Sequence, residues 1–169
     1  MNPWSLPDEK LLRECRFEAF VGSGPGGQKR HKTNAAVRLT HLPTGVVAVA
    51  SESRSQRENR IHAIRRLRHK LAIDSPRTEI DLVDFLPPEW MQEYIKQGLH
   101  ISEKNSIYPQ AIVLVLDVLK SARWEPARAA VSLGVSSSAL VRFLAGDSPL
   151  WIKVNAVRGE LGMASLVRR

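Results

Sequence analysis

Four glycines and one proline stand within Gly22-Ser23-Gly24-Pro25-Gly26-Gly27, and Gln28-Lys29-Arg30-His31-Lys32-Thr33 follows at once. Glycine tolerates positive φ and proline fixes one φ, so this stretch is neither a helix nor a strand interior. Whatever the chain folds into must be built on either side of a loop. Backbone N–H groups exposed beside a glutamine and a basic cluster suit an anionic or carbonyl-bearing ligand. Gly22, Gly24 and Gly27 match a dinucleotide-binding spacing, but that motif continues into an apolar-faced helix within a βαβ unit, and here polar residues and a short strand pattern follow. A phosphate-binding P-loop needs Gly-Lys-Ser/Thr, whereas Gln28 follows Gly27 and Arg30 follows Lys29. A plain surface loop explains the glycines but not their neighbours.

Alternation places strands on both sides. Arg16 to Val21 sets Phe17, Ala19 and Val21 on one face and Arg16 and Glu18 on the other. Ala35 to Leu42 and Gly45 to Ala50 form two further strands around Pro43-Thr44-Gly45, a short hairpin connection. Residues 1–14 are an ordered lead-in at best, with Trp4, Leu6, Leu11 and Leu12 available to dock on the core. Ser55-x-x-Glu58 is a capping-box pattern, and Ile61, Ile64, Leu67 and Leu71 then recur at helical spacing as a buried stripe. The rest of that helix carries Arg57, Arg60, Arg65, Arg66, Arg68 and Lys70. A solvated charged face is the ordinary reading of such a run. Here one sign is almost unmixed, which favours a face turned to phosphates.

The charge distribution supports that choice. The formal net charge is +8, and residues 1–75 hold 14 Lys/Arg against 7 Asp/Glu, while residues 76–169 hold 11 against 10. An anionic partner is therefore expected, and for the first half. Cys15 is the only cysteine, which excludes an internal disulfide and a thiolate metal site. The five histidines show no tight metal spacing, and no nucleophile–base signature is present. No cofactor is expected. The first residues lack an apolar signal core, and the longest apolar run, Ala111 to Leu116, is far short of the roughly 20 residues of a membrane span. A soluble, cytoplasmic protein is expected.

Composition changes after residue 75. Residues 76–106 are a proline-rich linker with a short helix near Pro88 to Ile95, and residues 107–169 are helical. Pro126 to Ala145 has a small residue, Ala129 or Ala130, in a first helix, Gly134 at a turn and Ser136 to cap a second, as in a helix-turn-helix. The second helix offers only Arg142 as a cation, too little for a typical DNA-reading helix. A small helical docking module fits better. The fold class is thus α+β: a small three-stranded sheet with the Gly-Gly-Gln loop and one long basic helix, followed by an all-α, helix-turn-helix-like domain.

Ser23-Gly24-x-Gly26-Gly27-Gln28, Lys32-Thr33, Val37-Arg38-Leu39-Thr40-His41-Leu42-Pro43-Thr44-Gly45 and Arg54-Ser55-Gln56-x-x-Asn59 together resemble the catalytic domain of class I peptide chain release factors. The resemblance runs in register from about Phe17 to Leu71 and makes residues 1–75 the catalytic domain. It implies hydrolysis of the ester between a finished peptide and tRNA in the ribosomal peptidyl-transferase centre, with water as nucleophile. By the same resemblance Gly26, Gly27 and Gln28 are the catalytic tripeptide, with the Gln28 N–H stabilising developing charge and its side chain shaping the pocket. Gln28 is also a candidate for N-methylation by a glutamine methyltransferase. Ser23, Lys29, Arg30, Lys32, Thr33, Arg38, Arg54, Gln56, Arg57, Arg60, Arg65, Arg66 and Arg68 would hold rRNA of the large subunit and peptidyl-tRNA. Lys29-Arg30-His31 replaces the His-Val-Asn of many relatives, and Asn34 stands where many have an acidic residue. The chain has no room for a stop-codon-reading domain, so it resembles the short, codon-independent members that rescue stalled ribosomes. Some of those members end in a long basic tail; residues 145–169 contain only Lys153, Arg158, Arg168 and Arg169 as basic residues, which does not support that mechanism. Two other readings remain: a non-catalytic ribosome- or RNA-binding accessory protein, and a helix-turn-helix DNA-binding regulator.

Overall fold

The structure, a computed structural model, describes residues 2–21 and 34–168. It is α+β and divides into two compact units, Met1–Asp74 and Ser75–Arg169.

The first unit opens with a 3-10 turn, Pro3–Ser5, and helix α1, Asp8–Arg13. Strands β1 (Cys15–Phe20), β2 (Ala36–His41) and β3 (Val47–Ala50) form an antiparallel sheet in the order β1-β2-β3. Helix α2, Gln56–Asp74, covers one face. Alternation explains that face: Val37, Leu39 and His41 on β2 and Ala48 and Ala50 on β3 are buried, while Arg38, Val47 and Val49 point out. Alanines on β3 let α2 approach closely. Ala63, Ile64, Leu67 and Leu71 fill the space between, and Leu6 and Leu11 close one end with Trp4 and Leu12 beside them. The lead-in thus docks as expected, and residues 8–13 add a helix that the sequence reading did not assign.

Two expected faces differ in detail. Phe17 and Ala19 do lie opposite Leu39 and Val37, on the α2 side of the sheet. Yet β1 is an edge strand, and Phe17 stays 43% exposed; Val21 lies beyond the strand and is equally exposed. On α2, Ile61 is 51% exposed. Asn59, Ala63 and Leu67 recur every fourth residue, which rotates the buried stripe away from it. β3 begins at Val47 rather than Gly45 because Gly45 takes φ +71 to close the turn, donating to the His41 carbonyl at 2.8 Å. A side chain would be strained at that φ. The buried His41 ring locks the same turn, with Nδ1 2.7 Å from Thr44 Oγ1 and Nε2 3.0 Å from a Glu14 carboxylate oxygen.

The second unit holds α3 (Glu89–Lys96), α4 (Tyr108–Ser121), α5 (Pro126–Leu133), α6 (Ser137–Gly146) and α7 (Ser148–Glu160). Helix α4 is its spine, burying Ala111, Ile112, Val115, Leu116, Val118 and Leu119. The chain before α3 is tied to it: the Thr78 and Ile80 N–H groups donate to Asp117 Oδ1 at 3.1 Å and Ser121 Oγ at 2.8 Å. Helices α5 and α6 meet at 104° across a turn in which Gly134 takes φ +73. Ser136 Oγ caps α6 by accepting from the Ala139 N–H at 3.1 Å. That angle and turn are those of a helix-turn-helix. Among the described residues, no single helix is long and apolar enough to cross a membrane.

Candidate nucleic-acid interface

The antiparallel ladder brings Phe20 directly opposite Ala36, so β1 and β2 hold the two ends of the Gly-Gly-Gln segment side by side. The segment itself, with Gly26, Gly27, Gln28, Ser23, Lys29, Arg30, Lys32 and Thr33, lies outside the described residues.

The first turn of α2 anchors the return of the chain into β2. Gln56 Nε2 donates to the Asn34 carbonyl at 2.9 Å. Asn59, fully buried, donates through Nδ2 to the carbonyls of Ala35 at 2.7 Å and Ser53 at 2.8 Å, and its Oδ1 accepts from the Ser53 N–H at 3.0 Å. One side chain thus ties β2 to the 51–55 turn. That turn starts α2 through half a capping box. Ser55 Oγ accepts from the Glu58 N–H at 3.3 Å, but the Glu58 carboxylate takes the Ser53 hydroxyl instead of reaching back. The Ser53 hydroxyl in turn accepts from the Ser55 N–H at 3.0 Å. The role of Asn59 was not foreseen. Its signal was a polar residue in phase with Ala63 and Leu67 on the buried side of the helix.

The basic residues of α2 and its surroundings fall into three groups. Arg66, Arg68 and Lys70 bind the unit together. Arg66 donates to the Val49 carbonyl at 2.6 Å and pairs with Glu52; Arg68 donates to the Trp4 carbonyl at 2.9 Å and to Asp8 at 2.6 Å; Lys70 donates to the Val47 carbonyl at 2.7 Å. Arg60 and Arg38 lie over aromatic rings, 5.9 Å from the Phe17 centroid and 5.1 Å from that of Phe20. Arg54, Arg57 and Arg65 are exposed and contact no described acceptor. Only the last two groups keep their N–H donors available for phosphate. Gln56, which the resemblance gave to RNA, spends one amide N–H on Asn34.

Glu52 is the carboxylate paired with Arg66. Burial alone would raise its pKa, but the Ser51 and Glu52 backbone N–H groups and the Arg66 guanidinium outweigh that and hold it below the usual range. It therefore stays ionised and neutralises Arg66 locally. No group of three or more His, Cys, Asp or Glu side chains suited to a metal ion occurs among the described residues.

Residues 10–81 match the RF-1 domain family. The chain is 52% identical over 58 residues to "Peptide chain release factor 1" of Kineococcus radiotolerans, covering 34% of this chain and 16% of that relative. To the protein of the same name from Lawsonia intracellularis it is 42% identical over 72 residues, covering 42% of this chain and 20% of the relative. It is 35% identical over 91 residues to "Peptide chain release factor 2" of Saccharopolyspora erythraea, covering 52% of this chain and 25% of that protein. The likeness is thus to the Gly-Gly-Gln domain of class I release factors, and it spans a quarter or less of these relatives' length.

Proposed function

We propose that the chain hydrolyses the ester of peptidyl-tRNA on ribosomes or large subunits without reading a codon. The observation that carries this reading is the RF-1 match over residues 10–81, which takes in Gly26, Gly27 and Gln28 between the paired ends of β1 and β2. Water attacks the ester carbonyl, the bond to the tRNA 3′ oxygen breaks, and that oxygen leaves with a proton. Such a reaction needs a placed water and stabilised charge rather than a protein nucleophile. The Gln28 backbone N–H serves as the donor toward the developing oxyanion, a contribution of about 2.7–4 kcal/mol. Gly27 lets the backbone come close enough, and the Gln28 side chain, a candidate for N-methylation, favours water over larger nucleophiles.

Arg54, Arg57 and Arg65, with Arg38 and Arg60, supply the phosphate-facing surface for rRNA and tRNA. The codon-independent form is carried over from the resemblance to short, codon-independent members of the family, and the helical second unit would supply engagement of the ribosome or tRNA. The test is release of labelled peptide from peptidyl-tRNA on ribosomes with no stop codon in the A site, and on separated large subunits. Release by the native chain that is lost with Gly27→Ala supports the reading. Binding without release on either particle would leave a non-catalytic accessory protein.

A further inference from the structure

Strand β1 is an edge strand of the sheet, and its two phenylalanines have opposite parity, so Phe17 and Phe20 stand on opposite faces. Each carries an arginine from a neighbouring element: Arg60 of α2 over Phe17, and Arg38 of β2 over Phe20. Both arginines are exposed, and neither meets an acceptor among the described residues. The carboxylate directly across from Arg38 in the sheet, Glu18, is 3.7 Å from Arg16 instead. Each guanidinium carbon thus lies within 5.9 Å of a ring centroid, on an exposed side chain whose N–H groups meet no acceptor among the described residues. This differs from Arg66 and Arg68, whose donors are taken up by carbonyls and carboxylates.

A planar cation seated beside a ring, with donors that no described acceptor takes up, matches a ligand that has both a flat π-face and an anionic backbone. Unstacked nucleotides have both. A duplex hides its base faces, and an acidic peptide would use the donors but not the plane. The Phe20–Arg38 pair also sits where the chain re-enters the sheet after the Gly-Gly-Gln segment, since Phe20 pairs with Ala36, and Phe17 lies three residues further along the same strand. We propose that the Phe17–Arg60 and Phe20–Arg38 stacks are two nucleobase-binding platforms for single-stranded RNA, one on each face of β1. The choice of RNA rests on the ribosomal reading above; the stacking does not.

Lysine in place of arginine keeps the charge and removes the plane. The full chain, its Arg38→Lys and Arg60→Lys variants and the double variant would be titrated with a labelled, unstructured RNA oligonucleotide. The same oligonucleotide annealed to its complement would be the duplex control. Each lysine variant is expected to bind the single strand about fivefold or more weakly, with an unchanged salt slope and unchanged duplex binding. Phe17→Leu and Phe20→Leu are expected to follow their arginine partners. Lysine variants that bind the single strand like the native chain overturn the proposal, as does a native chain that binds only the duplex. Measuring peptide release in parallel keeps the two readings apart. Release with lysine variants that bind normally removes the platforms alone. Platform effects without release remove the hydrolase alone.

Discussion

The Asn59 side-chain amide donates to the Ala35 carbonyl at 2.7 Å, so the first turn of α2 holds the point where the chain returns to the sheet. The same buried amide also satisfies Ser53 through its N–H and its carbonyl. Asn59→Ala would leave several buried polar groups without partners. Each such group costs about 1–3 kcal/mol, so a loss of about 2 kcal/mol or more is expected in denaturant unfolding. Asn59→Asp keeps an acceptor but loses both donors, and a similar loss is expected. If the Ala35 anchor positions the catalytic segment, peptide release at saturating ribosomes should fall in both variants while ribosome affinity is kept.

The division among the α2 arginines separates binding from folding. Arg57→Glu with Arg65→Glu replaces exposed cations that meet no acceptor among the described residues, so stability is expected to stay within about 0.5 kcal/mol. Ribosome or RNA affinity should fall, and its salt dependence should become shallower. Arg68→Ala should do the reverse, because it breaks the links to Trp4 and Asp8. A cost near 1 kcal/mol in thermal unfolding is expected. Loss of stability in the double glutamate variant would show that those arginines are structural as well.

Much of the first unit was legible because its signals are local. Val37, Leu39, Ala48 and Ala50 alternate, and Gly45 and Ser55 mark a turn and a helix start, so strands and helix followed from short windows of sequence. What was not legible depends on which surfaces meet. Ile61 has the right residue type for the core, but the stripe turned toward Asn59 and left it outside. The arginines were indistinguishable in sequence, since only the folded sheet brings the Val49, Val47 and Trp4 carbonyls within reach of some of them. The Gly26-Gly27-Gln28 tripeptide is the converse case. Its meaning came from family resemblance rather than from any local physical rule, and the geometry contributes only the paired strand ends beside it.

The Glu52–Arg66 contact predicts an acid-sensitive first unit. Glu52 is held below the usual carboxylate range in the fold, so its contribution is present at neutral pH and is lost as pH falls through that lowered value. Glu52→Gln should therefore lower stability at pH 7 by a small amount, because both side chains are about half exposed. The difference between native and variant should close in strong acid. A gap that widened on acidification would mean that the carboxylate is not stabilising as the anion.

In the second unit, the buried Arg158 of α7 holds a segment that has no secondary structure of its own. Its guanidinium donates to the carbonyl of Trp124, a non-glycine residue at φ +60, and twice to the Ala164 carbonyl, at 3.1 and 2.8 Å. The positive φ of Trp124 is unfavourable by itself and persists because neighbours over-determine it. Its ring is largely buried, its N–H bonds to the Leu119 carbonyl at 2.7 Å, and its carbonyl is fixed by Arg158. Lysine can carry the charge but has no planar fork to serve two carbonyls at once. Arg158→Lys is therefore expected to be destabilising, and Arg158→Ala more so, by about 2 kcal/mol. The Leu166 N–H would still donate to Asn155 at 2.7 Å, so the segment should loosen rather than detach in the single variant. Hydrogen exchange locates the effect: protection at Leu166 should drop in Arg158→Ala and vanish when Asn155→Ala is added. If exchange there were unchanged while the unit melted earlier, Arg158 would be acting through Trp124 alone.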